Sequence, residues 1–462
     1  MPESVGVLGK IAAAKRDELK ARYANISLDA LRAQAVPTQR SLGSVLGKNG
    51  ARFILEIKKA SPSEGAIRPN ADPALLARGY AGVADGLSVL CDAAYFGGSL
   101  DDLAAARTEF EGPILAKDFF IDVRQVPEAR LAGADAVLVM LSLLDDEHAR
   151  EIIAEARRLN MDALVEVHDE GEMRRALALG APLIGINNRD LRDLTIDLST
   201  TERLSKLAPD RILISESGIH DRADVERLSP LVDGFLIGSS LMRTAEPARA
   251  ARELIFGRVK LCGLNSDTVC NEARPATFAG LMFVPDTPRF LNADDASQMA
   301  ATIRKAGILP VGVFRNAPVD DVIATSLNLN LHAVQLHGQE DRDFAHSLRR
   351  ELPDTEIWTA VGVGQEPLEG RDGDRILFDN AGGGTGKSFD WSLVARHPQL
   401  PRALIAGGIG PHNARAAAAL GAYAIDVGSA VDERPGVKSP ERITALFDAL
   451  RPTSTERLAA CA

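Results

Sequence analysis

Cysteine is scarce in this 462-residue chain: Cys91, Cys262, Cys270 and Cys461 are the four present, widely spaced and with no CxxC pair. That pattern offers neither a zinc site nor a disulfide framework, and it suits a reducing compartment. Positive charge is also short, with 53 basic against 64 acidic residues and a net charge of −11. Nucleic acid and anionic membrane surfaces are recognised by clustered excess positive charge, so neither is an expected partner. An anion can still bind, but only in a local pocket. No apolar run approaches the ~20 residues that span a bilayer. The opening stretch MPESVGVLGKIAAAKRDELKARYA passes from a short apolar segment straight into mixed charge, unlike a secretory signal. A cytoplasmic location is expected.

What is present is ordinary globular composition, 45 % hydrophobic and 25 % charged. The length suits two domains or two barrels. From Phe53 onward, short runs rich in Val, Ile and Leu alternate with helical stretches rich in Ala, Leu, Arg and Glu. Runs begin near Phe53, Gly86, Pro113, Asp135, Asp162, Pro182, Arg211 and Asp233, a step of about 26 residues. They are nearly continuous in apolar character, as strands buried on both faces require. The ladder then restarts near Arg258, Ala279, Leu309, Leu331, Thr355, Arg375, Arg402 and Ala422. Eight strands counted twice, each followed by a helix, predict two consecutive (β/α)8 TIM barrels. Gly257, after the helical stretch Pro247 to Phe256, places the boundary so that the domains are 1–256 and 257–462. Residues 1–47 read as two extra helices, the second capped by Ser27, and the last dozen residues as a frayed end.

The halves echo each other where the seventh and eighth strands end. ISESGI is followed by GFLIGSS, and IAGGIG by YAIDVGSA; Gly218 to Gly238 and Gly408 to Gly428 are both 20 residues apart. One such pair could merely turn the chain. Two at the same spacing point to phosphate held by backbone N–H groups, with Ser217, Ser239 and Ser429 as further donors.

Charged residues sit at the ends of otherwise apolar strands in the first half: Glu56 and Lys58, Lys117, Glu166, Asn187 with Arg189, and Glu216 with Ser217. Such charges are costly unless paired or functional. A buried ion-pair network fixing barrel register is one reading. Two lysines and three glutamates converging from four strands favour acid–base chemistry on an anionic substrate.

The segments ILEIKKASPSEG, ILAKDF, INNRDL, ISESGI and GFLIGSSLM, in order across residues 50–245, resemble the strand ends of indole-3-glycerol phosphate synthase. That family closes an indole ring on carboxyphenylamino-deoxyribulose phosphate with loss of carbon dioxide and water. The resemblance implies that Lys117 is the general acid in ring closure, and that Lys58 contacts the substrate carboxylate and shares the acid role. It also implies that Glu166 assists departure of the hydroxyl and that Glu56 orients or deprotonates. Asn187 and Arg189 would bind hydroxyl and anthranilate carboxylate. Ser61, Glu216 and Ser217 would complete the pocket, and Gly218, Gly238 and Ser239 would hold the phosphate. Glu64 departs from the basic residue common after SPS, in a loop expected to be mobile, so tuned closure is expected there.

In the second half, VKLCGL puts Cys262 at a strand end and RILFDN ends its strand near Asp379. A lone cysteine in an apolar strand is more often packing. Its position before Gly263, with a carboxyl across the mouth, allows a base and an acid, provided the thiol pKa is lowered. AGGGTGKS (381–388) nearly spells a P-loop, but Ala381 stands where glycine is required and no long helix follows directly. Nucleotide hydrolysis is not expected. The segments KLCGL, GLMFVPDTPRFL, VGVFRN, AVQLHG, FDNAGGGTGKSFDW, IAGGIG and DVGSAV resemble phosphoribosylanthranilate isomerase across residues 258–431. That family converts an aminoaldose to an aminoketose. The resemblance makes Cys262 the base, Asp379 the acid and Arg289 the grip on the anthranilate carboxylate. Gly384, Thr385, Gly386, Gly407, Gly408, Gly428 and Ser429 would surround the phosphate. Arg315 and His337 also end strands, the latter at least as readily as a structural histidine. Asn265 and the lead ARPATFAG depart from the pattern. Together the two resemblances imply a fused, monomeric, cofactor-free and metal-free enzyme of tryptophan biosynthesis. It would act on small phosphorylated anthranilate derivatives.

Overall fold

The computed structural model describes residues 7–190, 193–265, 271–364, 368, 371–381 and 388–453. Two compact units divide the chain, Met1–Ala251 with Pro452–Ala462, and Arg252–Arg451.

The first unit is a closed eight-stranded barrel. Its strands are β1 (Arg52–Ile57), β2 (Gly86–Leu90), β3 (Ile114–Lys117), β4 (Ala136–Met140), β5 (Asp162–Val167), β6 (Leu183–Asn187), β7 (Ile212–Glu216) and β8 (Gly234–Ile237). Neighbours pair in parallel, and β1 closes the ring against both β2 and β8. β1, β2, β4 and β8 are buried along their whole length, as the continuous apolar runs anticipated. Helices between strands start on side-chain caps: Asp145 accepts from the His148 N–H before the helix Asp146–Arg158, and Asp169 accepts from the Glu172 N–H before Glu170–Ala178. Ahead of the barrel lie three helices rather than two, Val7–Arg22, Leu28–Arg32 and Leu42–Leu46. Ser27 caps the second as expected, and Ser41 caps the third, a five-residue turn too short to show periodicity. Lys15, on the first helix, is buried with its ammonium 2.9 Å from both Asp92 and Asp118, beyond the ends of β2 and β3. The β1 loop folds into a small antiparallel hairpin, Ala60–Ser61 on Gly65–Ala66.

The second unit repeats the closed ring with β9 (Val259–Cys262), β10 (Phe278–Met282), β11 (Leu309–Phe314), β12 (Ala333–Leu336), β13 (Glu356–Val363), β14 (Arg375–Asn380), β15 (Leu404–Ile405) and β16 (Ala424–Val427). One buried cluster draws Phe278, Val311, Ala333, Trp358, Leu377, Leu404 and Ala424 from seven of these strands. Phe278 meets Trp358 edge to face at 5.2 Å, and burying such rings supplies much of a core's cohesion. The helix Pro247–Phe256 ends as expected on Gly257, whose φ of 74° is open to glycine. Arg252 of that helix packs with the second unit, where it donates to the carbonyls of Arg274, Ala306 and Gly307.

Candidate active sites at the two barrel mouths

At the C-terminal ends of the first barrel's strands, Lys58 Nζ lies 2.7 Å from Glu56. Lys117 Nζ is in contact with Glu216 and stands 3.8 Å from Glu166 and 3.9 Å from Glu56. Two glycines make room for these carboxylates. A Cβ at Gly185 in β6 would stand 2.0 Å from Glu216 Oε1, and one at Gly238 would stand 2.4 Å from Glu56 Oε1. The cluster therefore depends on missing side chains as much as on those present.

Burial and charge separate the members chemically. Burial would raise the Glu56 carboxyl, but Lys58 and Lys117 hold it below its ordinary value. Burial likewise opposes ionisation of Glu166, yet His168, Lys117 and Asn187 hold it low. Glu216 goes the other way: burial dominates, and the neighbouring Glu166 and Glu56 carboxylates add to the rise against Lys117. Burial would lower Lys117, but the three glutamates hold its ammonium above the usual range. Neighbouring carboxyls pushed in opposite directions are the pattern expected where one must stay ionised while another holds or passes a proton.

A cavity of about 170 Å³ opens above the cluster. It brings together every residue expected in this half: Glu56, Lys58, Ser61, Lys117, Glu166, Asn187, Arg189, Glu216, Ser217, Gly218, Gly238 and Ser239. Ser217 and Gly218 both adopt positive φ, 65° and 81°, which is strained for a serine. The strain is held by Asn188, a residue not singled out from the sequence. Its buried amide donates at 3.0 Å to Ser215 Oγ and to the Glu216 and Ser217 carbonyls, and its oxygen accepts from Thr201. Glu64 does not stand apart as an unpaired loop charge; its carboxylate meets Arg243 at 2.8 Å and Arg189 at 3.6 Å. Leu8, Ile11, Phe96 and Phe119 supply apolar wall.

The second barrel's mouth holds a cavity of about 100 Å³ lined by Cys262, Arg289, His337, Asp379, Gly407, Gly408, Gly428 and Ser429. Gly384, Thr385 and Gly386, with the centre of the P-loop-like stretch, lie outside the described residues. Arg315 is exposed and does not line the cavity. Asp379 is buried, accepts from its neighbour Asn380 N–H at 2.8 Å, and lies 3.4 Å from His337 Nε2. Arg289 is held by Asp432 at 2.6 Å. Gly407 and Gly408 take successive positive φ values, 83° and 63°, so their turn suits glycine.

The requirement for a lowered thiol pKa is not met by the protein's own groups. Burial pushes Cys262 up, while Lys260 and Lys438 pull the other way. Lys260 and its partner Asp426, 2.9 Å apart across β9 and β16, were not singled out from the sequence. The signal was available: Lys260 interrupts an apolar strand two residues before Cys262, on the same side. Gly280 leaves the space, since a Cβ there would stand 3.0 Å from Cys262 Sγ and 3.2 Å from Lys260 Cε. Lys438 binds Asp432 at 2.7 Å and donates to the Gly428 carbonyl at 2.8 Å, bracing the expected phosphate loop.

Comparison with known proteins agrees with both halves. Residues 8–254 match the family described as indole-3-glycerol phosphate synthase, and residues 259–449 match N-(5'-phosphoribosyl)anthranilate isomerase. The chain is 43 % identical over 451 residues to "Tryptophan biosynthesis protein TrpCF" of Yersinia pestis, covering 96 % of this chain and 94 % of the relative. It is 42 % identical over 454 residues to the protein of that name from Salmonella typhi, covering 96 % and 99 %. The solved phosphoribosyl anthranilate isomerase from Thermus thermophilus, at 29 % identity, covers 44 % of this chain and 100 % of its own, with a TM-score of 0.37. The C-terminal barrel isomerises phosphoribosylanthranilate, and the N-terminal barrel turns the resulting carboxyphenylamino-deoxyribulose phosphate into indole-3-glycerol phosphate. The chain belongs to the family of bifunctional tryptophan-biosynthesis enzymes in which a synthase barrel precedes an isomerase barrel.

Proposed function

We propose that each activity is run by the polar residues gathered at its own barrel mouth. The observation that carries the first assignment is the convergence of Glu56, Glu166 and Glu216 on Lys117. Lys117 donates a proton to the substrate carbonyl as the ring closes, with Lys58 beside the substrate carboxylate and sharing the acid role. Glu166 assists departure of the hydroxyl, Glu56 orients or deprotonates, Asn187 binds the substrate hydroxyl, and Glu216 completes the pocket. Arg189 grips the anthranilate carboxylate, Ser61 and Ser217 line the pocket, and Gly218, Gly238 and Ser239 take the phosphate through backbone and hydroxyl donors. In the second barrel Cys262 removes the proton from the sugar carbon, Asp379 donates one to the ring oxygen, and Arg289 grips the carboxylate. Gly407, Gly408, Gly428 and Ser429 take the phosphate. Positioning and proton transfer suffice for both reactions. We also propose that the halves divide at 256/257 and that the chain is a cytoplasmic monomer.

Purified protein given phosphoribosylanthranilate, followed by chromatography, is expected to yield indole-3-glycerol phosphate. Accumulation of the carboxyphenylamino intermediate would refute the first-barrel assignments. Persistence of phosphoribosylanthranilate would refute those in the second.

Glu64 supports a narrower expectation. Its carboxylate lies 3.6 Å from Arg189, so a substrate carboxylate gripped by Arg189 competes with an internal one. Partly exposed ion pairs are worth ~0.2–1 kcal/mol. Glu64→Gln should therefore lower the synthase KM by up to about fivefold, with kcat little changed. A raised or constant KM in steady-state assays would count against the competition.

A further inference from the structure

His168 follows β5, two residues beyond Glu166, and is nearly buried between two carboxylates. Its Nε2 stands 3.3 Å from Glu166 Oε1 and its Nδ1 3.0 Å from Glu172 Oε2. Glu172 is itself fixed. Its backbone N–H donates to the helix-capping Asp169 at 2.9 Å, and its Oε2 also accepts the His168 backbone N–H at 2.8 Å. A carboxylate can only accept, so a ring nitrogen facing one is satisfied only when it bears hydrogen. A carboxylate on each side favours hydrogen on both nitrogens, and with it the imidazolium form.

The consequence falls on Glu166. Its Oε1 lies 3.3 Å from His168 Nε2 as an ion-pair contact and accepts the Asn187 amide at 3.2 Å, whereas its Oε2 is the oxygen 3.8 Å from Lys117. One oxygen is held and the other is left towards the reacting groups. We propose that His168 is a positioning residue of the synthase reaction: clamped as a cation between Glu166 and Glu172, it fixes Oε1, keeps the Glu166 carboxyl ionised and presents Oε2 to the substrate. This rests on the reading of Glu166 as a catalytic carboxylate. The charged groups facing this site are Glu166 on β5, Glu172 on the following helix and Lys117 on β3, the last linked to Glu216 and Glu56. Burial opposes the charge on His168, but the negative Glu166 and Glu172 carboxylates facing its ring push its pKa up to about 10. The ring thus stays charged throughout the neutral range.

The test is His168→Asn in the full-length chain, with Glu166→Gln as reference and isomerase turnover plus thermal melting as controls on folding. A misplaced reacting group costs about 100-fold, so synthase kcat should fall by about 10- to 100-fold with KM little changed. The acid limb of the synthase pH profile should move upward, because Glu166 loses the cation that holds it ionised. Glu172→Gln, which leaves the ring in place but needs only a neutral tautomer, should move the limb the same way by less. An unchanged kcat, or a fall in kcat with the limb unmoved in both variants, would overturn the inference. Full synthase activity in Glu166→Gln would instead overturn the assignment of Glu166.

Discussion

Replacing Lys117 by methionine should remove synthase turnover by about 1,000-fold while isomerase turnover in the same chain stays within about twofold, since the sites share no groups. A positioned acid contributes about 100- to 10,000-fold, and Lys117 is the cation on which Glu56, Glu166 and Glu216 converge. Removing it also takes away the only cation paired, among the described residues, with buried Glu216, whereas Glu56 keeps Lys58 and Glu166 keeps His168, and an uncompensated buried charge costs ~3–5 kcal/mol. The single variant therefore risks losing stability together with activity. Lys117→Met combined with Glu216→Gln removes one charge of each sign and separates the effects. The double variant should melt closer to the parent yet remain inactive on carboxyphenylamino-deoxyribulose phosphate. Recovery of turnover in the double variant would show that Lys117 acts only as a counter-ion.

Asp379→Asn should be equally damaging in the other barrel, with phosphoribosylanthranilate accumulating by about 1,000-fold slower turnover and synthase activity intact. Asparagine keeps the shape and the neighbours Asn380 and His337 but has no carboxyl proton to give. Cys262, the base proposed above, adds a pH signature. Burial raises Cys262 above its ordinary value despite Lys260 and Lys438, so at neutral pH the free site is almost wholly thiol. The ionised fraction grows as pH rises towards that raised pKa. Isomerase kcat/KM, which reports free-enzyme ionisations, should therefore climb by up to about tenfold per unit between pH 7 and 9. A flat profile across that range, with Cys262→Ser still active, would remove the thiol from the mechanism.

The fold was legible in the sequence because each strand of a parallel barrel is buried on both faces. It therefore writes an uninterrupted apolar run, and two ladders of eight admit few alternatives. Charged strand ends such as Glu56, Lys117, Glu166 and Glu216 were legible for the same reason, standing out against that background. What escaped were residues that brace the polar clusters. Asn188 is one of two adjacent asparagines, and only the fold reveals that it satisfies the carbonyls of a strained turn. Lys260 violates the same rule that exposed Lys117, but its partner Asp426 lies 166 residues away. His168 looked like the end of a strand, because Glu172 meets it only after a helix has formed. The third N-terminal helix, Leu42–Leu46, is a single turn set by the cap at Ser41.

Gly185 and Gly238 carry a consequence of a different kind. The carboxylates of Glu216 and Glu56 fill the volume that a methyl group would claim on those neighbouring strands. The acid residues and the hydrogen atoms opposite them thus share one volume. A bulkier residue at either position would force the carboxylate opposite it to move. The chemistry of this barrel is consequently written partly in positions that bear no chemical group at all.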